Sequence, residues 1–349
     1  MTTIDADAHV LESPRTWDYL EESEKKYTPM VVRRVAGAEA RGIAGNVMQE
    51  YWVVDGRLHN KQLNVGLDTT PEARELTDLD ARLDHMRALE IDVQVIYPTL
   101  FLRPYTTNKD VEHALVRAYN RWLADLCRPA TERLKWAACP PLLSMDRVRA
   151  ELEWAKDNGA VAIFMRGLEC ERMLSDPYFF PLYEMAGALD MPVCIHSGIN
   201  SFQVHDFFRE DPGFSRFKLA CVGAFHALLW HGIPRKFPKV RWGFIELSSQ
   251  WVPYALNDLE LRIRRRGERL PDNVLAENNI WVALQVTDDL GHVFEYAGED
   301  NLVVGTDYGH ADTSTEIEAL RKLRSEGKLP APVVDKILGP NAAALYGLG

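Results

Sequence analysis

Residues 4–13 read IDADAHVLES and put Asp5, Asp7 and His9 on alternate positions, with Glu12 just behind. In a β-strand, side chains at i, i+2 and i+4 stand on one side. Carboxylates turned inward in such a row repel each other and lose hydration unless a positive charge sits among them. The row therefore faces either water or a cation. Further along, apolar runs repeatedly end in side chains of the same kind. MPVCIHSG ends in His196, VRWGFIELS in Glu246, and NLVVGTDYG in Asp307 with His310 close behind, while AVAIFMRG ends in Arg166. Imidazole and carboxylate together suit Zn²⁺, Mn²⁺ or Fe²⁺, whereas Mg²⁺ and Ca²⁺ prefer shells of oxygen alone. A cation there would explain why Asp7 and His9 point inward and would leave Asp5, near the start of its strand, a structural role. A lone histidine at a strand end is more often a hydrogen-bonded core residue, so the argument rests on several strand ends converging.

Convergence requires a scaffold. TPEARELTDLDARLDHMRALE opens with Thr70 as N-cap and Pro71 at the first helical position, then repeats Leu76, Leu79, Leu83 and Met86 at three- and four-residue steps, which predicts one helix. Strand-like runs follow at IDVQVIYP, LKWAACPP, AVAIFMRG, MPVCIHSG, VRWGFIELS, NIWVALQV and NLVVGTDYG. Helical stretches separate them, and two more, near 316–324 and 332–345, close the chain. With the opening segment, this pattern predicts a (β/α)8 TIM-type barrel, with a doubly wound open sheet as the alternative. In such a barrel the chemistry sits at the C-terminal ends of the strands, where these polar groups fall. Residues 21–70 break the pattern, and VMQEYWVVDGRLHN within them predicts a hairpin around Asp55-Gly56. We read 1–349 as a single barrel domain in which 21–70 is an inserted segment, either a cap over the barrel mouth or a contact between subunits.

Composition narrows the function classes. The 349 residues are 46% hydrophobic, enough for a barrel-sized core. A net charge of −11 argues against binding nucleic acid or an anionic membrane. The one dense basic run, RIRRRGER at 262–269, reads as the solvated end of a helix. Five scattered cysteines without a CxxC spacing fit reduced thiols in a cytoplasmic protein, and the N-terminus does not read as a signal peptide. No apolar run approaches the ~20 residues that a spanning helix needs.

IDADAHVLE, LSDPYFFPLYEMAGALDMPVCIHSG, HGIPRKFPKVRWGFIELSSQWVPY and VVGTDYGHAD together resemble the amidohydrolase superfamily. Within it they resemble the amidohydrolase-related (amidohydrolase 2) branch that includes aminocarboxymuconate semialdehyde, resorcylate and carboxyvanillate decarboxylases. The resemblance implies metal ligands at Asp7, His9, His196 and Asp307, with Asp307 also handling a proton of the metal's water. It implies a single metal, because the carboxylated lysine that bridges two ions in many relatives would stand on the fourth strand, which offers Met165 and Arg166. The decarboxylases place a proton-donating histidine near the end of the sixth strand. Here Glu246 stands in its place.

Three activities are compatible with these residues. In the first, a metal-dependent hydrolase or lyase acts on a small, carboxylated or aromatic substrate. The metal, zinc or manganese before iron, lowers the pKa of its water from about 15.7 toward ~7, and Asp307 takes the proton. Arg166 then pairs with a substrate carboxylate, or else forms a salt bridge to a neighbouring loop. In the second, the chain is a non-oxidative decarboxylase, with Glu246 or His310 replacing the missing histidine. In the third, Glu246 is itself a ligand, and with Glu12 or a further histidine it builds a dinuclear iron or manganese oxygenase. Trp52, Tyr97, Phe101, Phe164, Phe202 and Trp251 would flank an aromatic ring or serve as packing. The expected partner is a small molecule, and the resemblance implies a homodimer.

Overall fold

The computed structural model describes residues 2–35, 48–61 and 65–349. Eight strands lie side by side in chain order, all parallel. They are β1 (Ile4–His9), β2 (Val93–Tyr97), β3 (Leu134–Ala138), β4 (Ala160–Arg166), β5 (Val193–His196), β6 (Trp242–Ile245), β7 (Ile280–Leu284) and β8 (Leu302–Val304). The sheet closes just past β8. Asp307 N–H donates to the Asp7 carbonyl and His9 N–H to the Tyr308 carbonyl, both at 2.9 Å, and Ala8 bridges Tyr308 in parallel. Closure demands a glycine: a Cβ on Gly305 would lie 2.2 Å from the Cβ of Asp7. The fold is the expected (β/α)8 barrel.

Helices line the outside: α1 (Leu79–Ala88), α2 (Lys109–Cys127), α3 (Met145–Asp157), α4 (Phe180–Ala188), α5 (Leu219–Trp230), α6 (Trp251–Arg264), α7 (Leu290–Ala297), α8 (Ala319–Ser325), α9 (Ala331–Leu338) and α10 (Pro340–Tyr346). Helix α2 shows how sequence fixes them. The Asn108 side chain caps its start by accepting from Asp110 N–H at 3.0 Å, and Val111, Leu115, Ala118 and Trp122 form the buried stripe. None of the described helices is long and apolar enough to cross a membrane.

Two expected helices are broken. The run beginning at Thr70 carries two caps, not one. Thr70 caps a single turn over Pro71–Arg74, Leu76 takes a left-handed backbone (φ +52°), and Asp78 caps α1. The final stretch splits into α9 and α10 at Gly339-Pro340, because a proline nitrogen cannot continue the hydrogen-bond ladder.

Within 21–70, Met30–Val35, Met48–Val54 and Arg57–Asn60 form an antiparallel sheet. Its expected turn is present, with positive φ at Asp55 (46°) and Gly56 (76°), the signature of a tight hairpin. Residues 36–47 and 62–64 of this segment lie outside the described residues. The segment returns to the barrel where Gly66 N–H donates to the Gly309 carbonyl at 3.0 Å.

Asp5 proves to be a closure element. Its carboxylate accepts from Thr306 N–H (2.9 Å), the Thr306 hydroxyl (2.7 Å) and Gln94 Nε2 (2.9 Å). Arg82 then donates to Gln94 Oε1 (2.7 Å) and to the His9 carbonyl (3.1 Å). This buried network ties β1, β2 and the end of β8 together beneath the polar rim. Burial pushes the Asp5 carboxyl up to about 6, against the pull of these donors.

Candidate metal centre and cavity

His9 and His196 end β1 and β5, and the backbone orients both rings. His9 Nδ1–H donates to the Pro98 carbonyl and His196 Nδ1–H to the Ser197 carbonyl, each at 3.0 Å. A carbonyl can only accept, so each Nδ1 holds a proton, and in the neutral ring each Nε2 presents its lone pair. Those Nε2 atoms face carboxylates. His9 Nε2 lies 3.5 Å from Asp7 Oδ1, 3.5 Å from Glu246 Oε2 and 3.4 Å from Asp307 Oδ1. His196 Nε2 lies 3.2 Å from Asp7 Oδ1 and 3.3 Å from Glu246 Oε2. All five residues are buried.

Lone pairs facing carboxylate oxygens are stable only with something positive between them. Burial alone would depress both imidazoles, yet Asp7 and Asp307 raise His9, and Glu246 and Asp7 raise His196. Burial would likewise raise Asp7, but His196 and His9 hold it below the usual carboxylate range. For Glu246, burial and the charges of Asp307 and Asp312 push the carboxyl well up. The field that draws protons onto the imidazoles would also attract a divalent ion. The spacing fits one. Metal–ligand bonds of ~2.1 Å put neighbouring ligand atoms ~3.0 Å apart in an octahedron and ~3.4 Å apart in a tetrahedron. His9 Nε2 is buried without a hydrogen-bond partner, as a metal-binding nitrogen would be, and Glu246 Oε2 beside it is unpartnered as well.

Glu246 and Asp307 both adopt left-handed backbone, at φ +63° and +53°, and Ser248 follows at +61°. Such strain in non-glycine residues, ~1–2 kcal/mol each, persists only where the surroundings impose it. At Glu246 the restraint is Asp288. Its carboxylate accepts from the Ser248 hydroxyl (2.6 Å), Ser249 N–H (2.7 Å), the Ser249 hydroxyl (2.7 Å) and Gln285 N–H (2.9 Å). At Asp307, the Thr315 hydroxyl donates to Oδ2 at 2.5 Å, and His310 Nδ1 lies 2.8 Å from Oδ1. His310 also reaches the Thr99 hydroxyl (3.0 Å) and stacks on His9 with centroids 3.9 Å apart.

Two other sequence candidates are committed to partners outside the cluster. Glu12 accepts from Thr99 N–H (3.1 Å) and Leu100 N–H (2.9 Å), which anchors the loop after β2. Arg166 forks onto Glu169 (Nε–Oε1 2.8 Å, Nη2–Oε2 2.7 Å) and donates to the Phe101 carbonyl at 2.5 Å. It is the salt bridge to a neighbouring loop and is not part of the cavity wall.

A cavity of about 1080 Å³ opens over the cluster. Glu246, His310 and Glu12 form part of its floor, and Trp52, Leu100, Leu102, Phe217 and Trp251 part of its walls. Of the six aromatics considered from sequence, Trp52 and Trp251 reach it, while Tyr97, Phe101 and Phe164 are core. Sequence reading missed four cavity cations, Lys61, Arg103, Arg216 and Lys218.

A closed parallel barrel with imidazoles and carboxylates gathered at the C-terminal ends of its strands defines a divalent-metal-dependent enzyme. The chain belongs to the amidohydrolase family, whose model matches residues 4–348. It is similar to a solved amidohydrolase of Mycobacterium avium subsp. paratuberculosis K-10 at 18% identity, covering 100% of this chain and 98% of that one, with a TM-score of 0.80. It is also similar to 5-carboxyvanillate decarboxylase of Sphingomonas paucimobilis (16% identity, 100% and 99% covered, TM-score 0.70). A third similar structure is 5-carboxyvanillate decarboxylase of Novosphingobium aromaticivorans, complexed with manganese and 4-hydroxy-3-methoxy-5-nitrobenzoic acid (19% identity, 76% and 79% covered, TM-score 0.64). No curated protein matches the chain.

Proposed function

We propose that the enzyme is a carboxy-lyase that removes CO₂ without oxidation from an aromatic or conjugated carboxylate. One observation carries this reading. Of the residues gathered around His9 and His196, only Glu246 and His310 reach the cavity wall. Both His310 nitrogens are engaged, with Asp307 and Thr99, whereas Glu246 Oε2 has no hydrogen-bond partner. The sequence resemblance to decarboxylases implies that Glu246 stands where they carry their proton donor, and two of the similar solved structures are decarboxylases.

Asp7, His9, His196 and Asp307 would hold the ion, manganese, zinc or iron by their donor types, and when bound it supplies a positive charge that orients the substrate carboxylate. The apolar walls hold the ring and exclude water. As the bond between the ring carbon and the carboxylate breaks, its electron pair stays on carbon. Glu246 Oε2 delivers a proton there, CO₂ leaves, and Glu246 is reprotonated from cavity water. Trp52, His59, Asn60 and Lys61 line the cavity, which supports reading 21–70 as a cap. Five free thiols support a reducing, cytoplasmic setting.

A second reading, hydrolysis, is favoured by the Asp307–His310 pair, in which Asp307 could take a proton from water and pass it to the imidazole. Glu12, committed to two backbone amides, offers little to a dinuclear oxygenase. The test is incubation with a panel of hydroxybenzoates and 5-carboxyvanillate in D₂O with Mn²⁺. CO₂ release, with deuterium on the carbon that lost its carboxylate and loss of both in Glu246→Gln, is expected. Cleavage of ester or lactone probes without CO₂ release would replace this reading with hydrolysis.

A further inference from the structure

The cavity carries positive charge that the metal centre does not use. Arg103 follows β2, and Arg216 lies on a π-helical turn, Phe214–Lys218, just before α5. Their guanidinium carbons sit 5.7 and 4.8 Å from the centroid of one ring, Phe217. No carboxylate lies within 4 Å of either among the described residues, although the chain carries a net charge of −11. Other arginines are paired: Arg117 with Glu21 and Glu24, Arg121 with Glu151, Arg166 with Glu169, and Arg241 with Asp190. Arg216 Nε is buried without a partner, and so is His59 Nε2 on the neighbouring cavity wall.

These groups repel each other. Burial and the charge of Arg216 push Arg103 down to about 10, with Asp312 the nearest compensating acid. Burial and the charges of Arg103, His205 and Arg57 push His59 down to about 4. The arrangement is nevertheless built. Asp211 accepts from Gly213 N–H (2.8 Å), Ser215 N–H (3.1 Å) and the Ser215 hydroxyl (2.9 Å), fixing the turn that presents Arg216, and Gly213 takes φ +117°. π-turns of this kind recur at functional sites. Half-buried guanidiniums with no carboxylate in salt-bridge range among the described residues are open to an acid on a ligand.

We propose that Arg103 and Arg216, with His59 beside them, bind a second acidic group of the substrate, a terminal carboxylate or phosphate monoester. The substrate then carries two acidic groups, and is a dianion where both are carboxylates. One carboxylate sits at the cluster of Asp7, His9, His196 and Asp307, an apolar or aromatic body lies between the walls, and the second oxyanion reaches the arginines. The first of these placements rests on the proposed function, whereas the arginine subsite does not.

Isothermal titration of the purified protein with matched probes tests this. The pairs are benzoate against terephthalate, biphenyl-4-carboxylate against biphenyl-4,4′-dicarboxylate, and benzoate against 4-carboxyphenyl phosphate. At least one dianion is expected to bind about tenfold or more tighter than its monoacid, the worth of one charge-assisted fork. The phosphate arm tells which oxyanion is preferred. In Arg103→Gln/Arg216→Gln the ratio of dianion to monoacid affinity should fall to near one, with monoacid binding unchanged. If the double variant melts early, Arg216→Gln alone should lower the ratio several-fold. No dianion preference in the wild type, or a preference that survives both variants, overturns the proposal. Failure to release CO₂ with an intact arginine-dependent ratio overturns the proposed reaction and leaves the subsite standing.

Discussion

Asp288→Ala should lower stability and CO₂ release together, whereas Asp288→Asn should keep the activity and lose much less stability. The carboxylate is buried and collects four donors from the turn after β6 and from Gln285 after β7. Hydrogen bonds to an ionised acceptor contribute about 1.5–3 kcal/mol each, so losing four, even at the low end of that range, costs about 6 kcal/mol. Asparagine keeps its carbonyl at the oxygen that serves three donors, and the Ser248 hydroxyl can turn to accept from the new amide. That change removes only charge assistance and should cost about 1–2 kcal/mol. The clasp also opposes the left-handed strain of Glu246 and Ser248, together ~2–4 kcal/mol. Without it the turn should relax and draw Glu246 Oε2 away from the imidazoles. Urea unfolding followed by circular dichroism gives the first quantity, and the rate of CO₂ release from the best substrate of the panel gives the second. An alanine variant that is less stable yet releases CO₂ at the wild-type rate would show that Asp288 serves the fold alone. Equal losses for alanine and asparagine would refute the hydrogen-bond arithmetic.

Other consequences follow from the same geometry. Gly305→Ala places a Cβ 2.2 Å from the Asp7 Cβ and 2.9 Å from its backbone nitrogen, so the barrel seam must open. A cost of about 3 kcal/mol or more, read from the urea midpoint, is expected. Mn²⁺ or Zn²⁺ at about 100 times its dissociation constant should stabilise the protein by about 2.7 kcal/mol, a melting shift of about 5 °C. His196→Ala should abolish that shift. Glu112 accepts from Leu143 N–H at 2.7 Å, and burial pushes its carboxyl from 4.5 up to about 8. Its folded form holds a proton that the unfolded chain releases, so its contribution is complete below about pH 4.5 and is lost as pH rises toward 8. Glu112→Gln should therefore gain stability on the wild type across that window, by up to a few kcal/mol, in denaturation series at fixed pH.

The barrel was legible because strand and helix periodicities are local. Each apolar run that ended in a polar group became a strand whose end faces the cavity side of the barrel. The two broken helices failed for equally local reasons, a second cap at Asp78 and a proline at 340, both visible in the sequence once each is weighed against the continuing periodicity. The gathering of Asp7, His9, His196, Glu246 and Asp307 was also legible, since barrel closure makes strand ends neighbours whatever their separation in the chain.

What sequence reasoning could not do was assign partners to charges. Arg166 ends a strand and looked like a substrate ligand. Its partner, Glu169, is three residues on, across a Gly167 turn that brings the carboxylate back to both the backbone and the guanidinium. Arg103 and Arg216 carry no sequence signal that sets them apart from other loop cations, yet both line the cavity, and among the described residues neither has a carboxylate within 4 Å. A cation's function follows from whether the fold returns an acid to it, and that depends on contacts spanning more than a hundred residues. The same logic governs Glu246. Its residue type alone allows a ligand, an acid or a surface group. Its left-handed backbone, the Asp288 clasp and the unpartnered Oε2 place it between the donor cluster and the cavity, which is what supports the proposal that it is the acid.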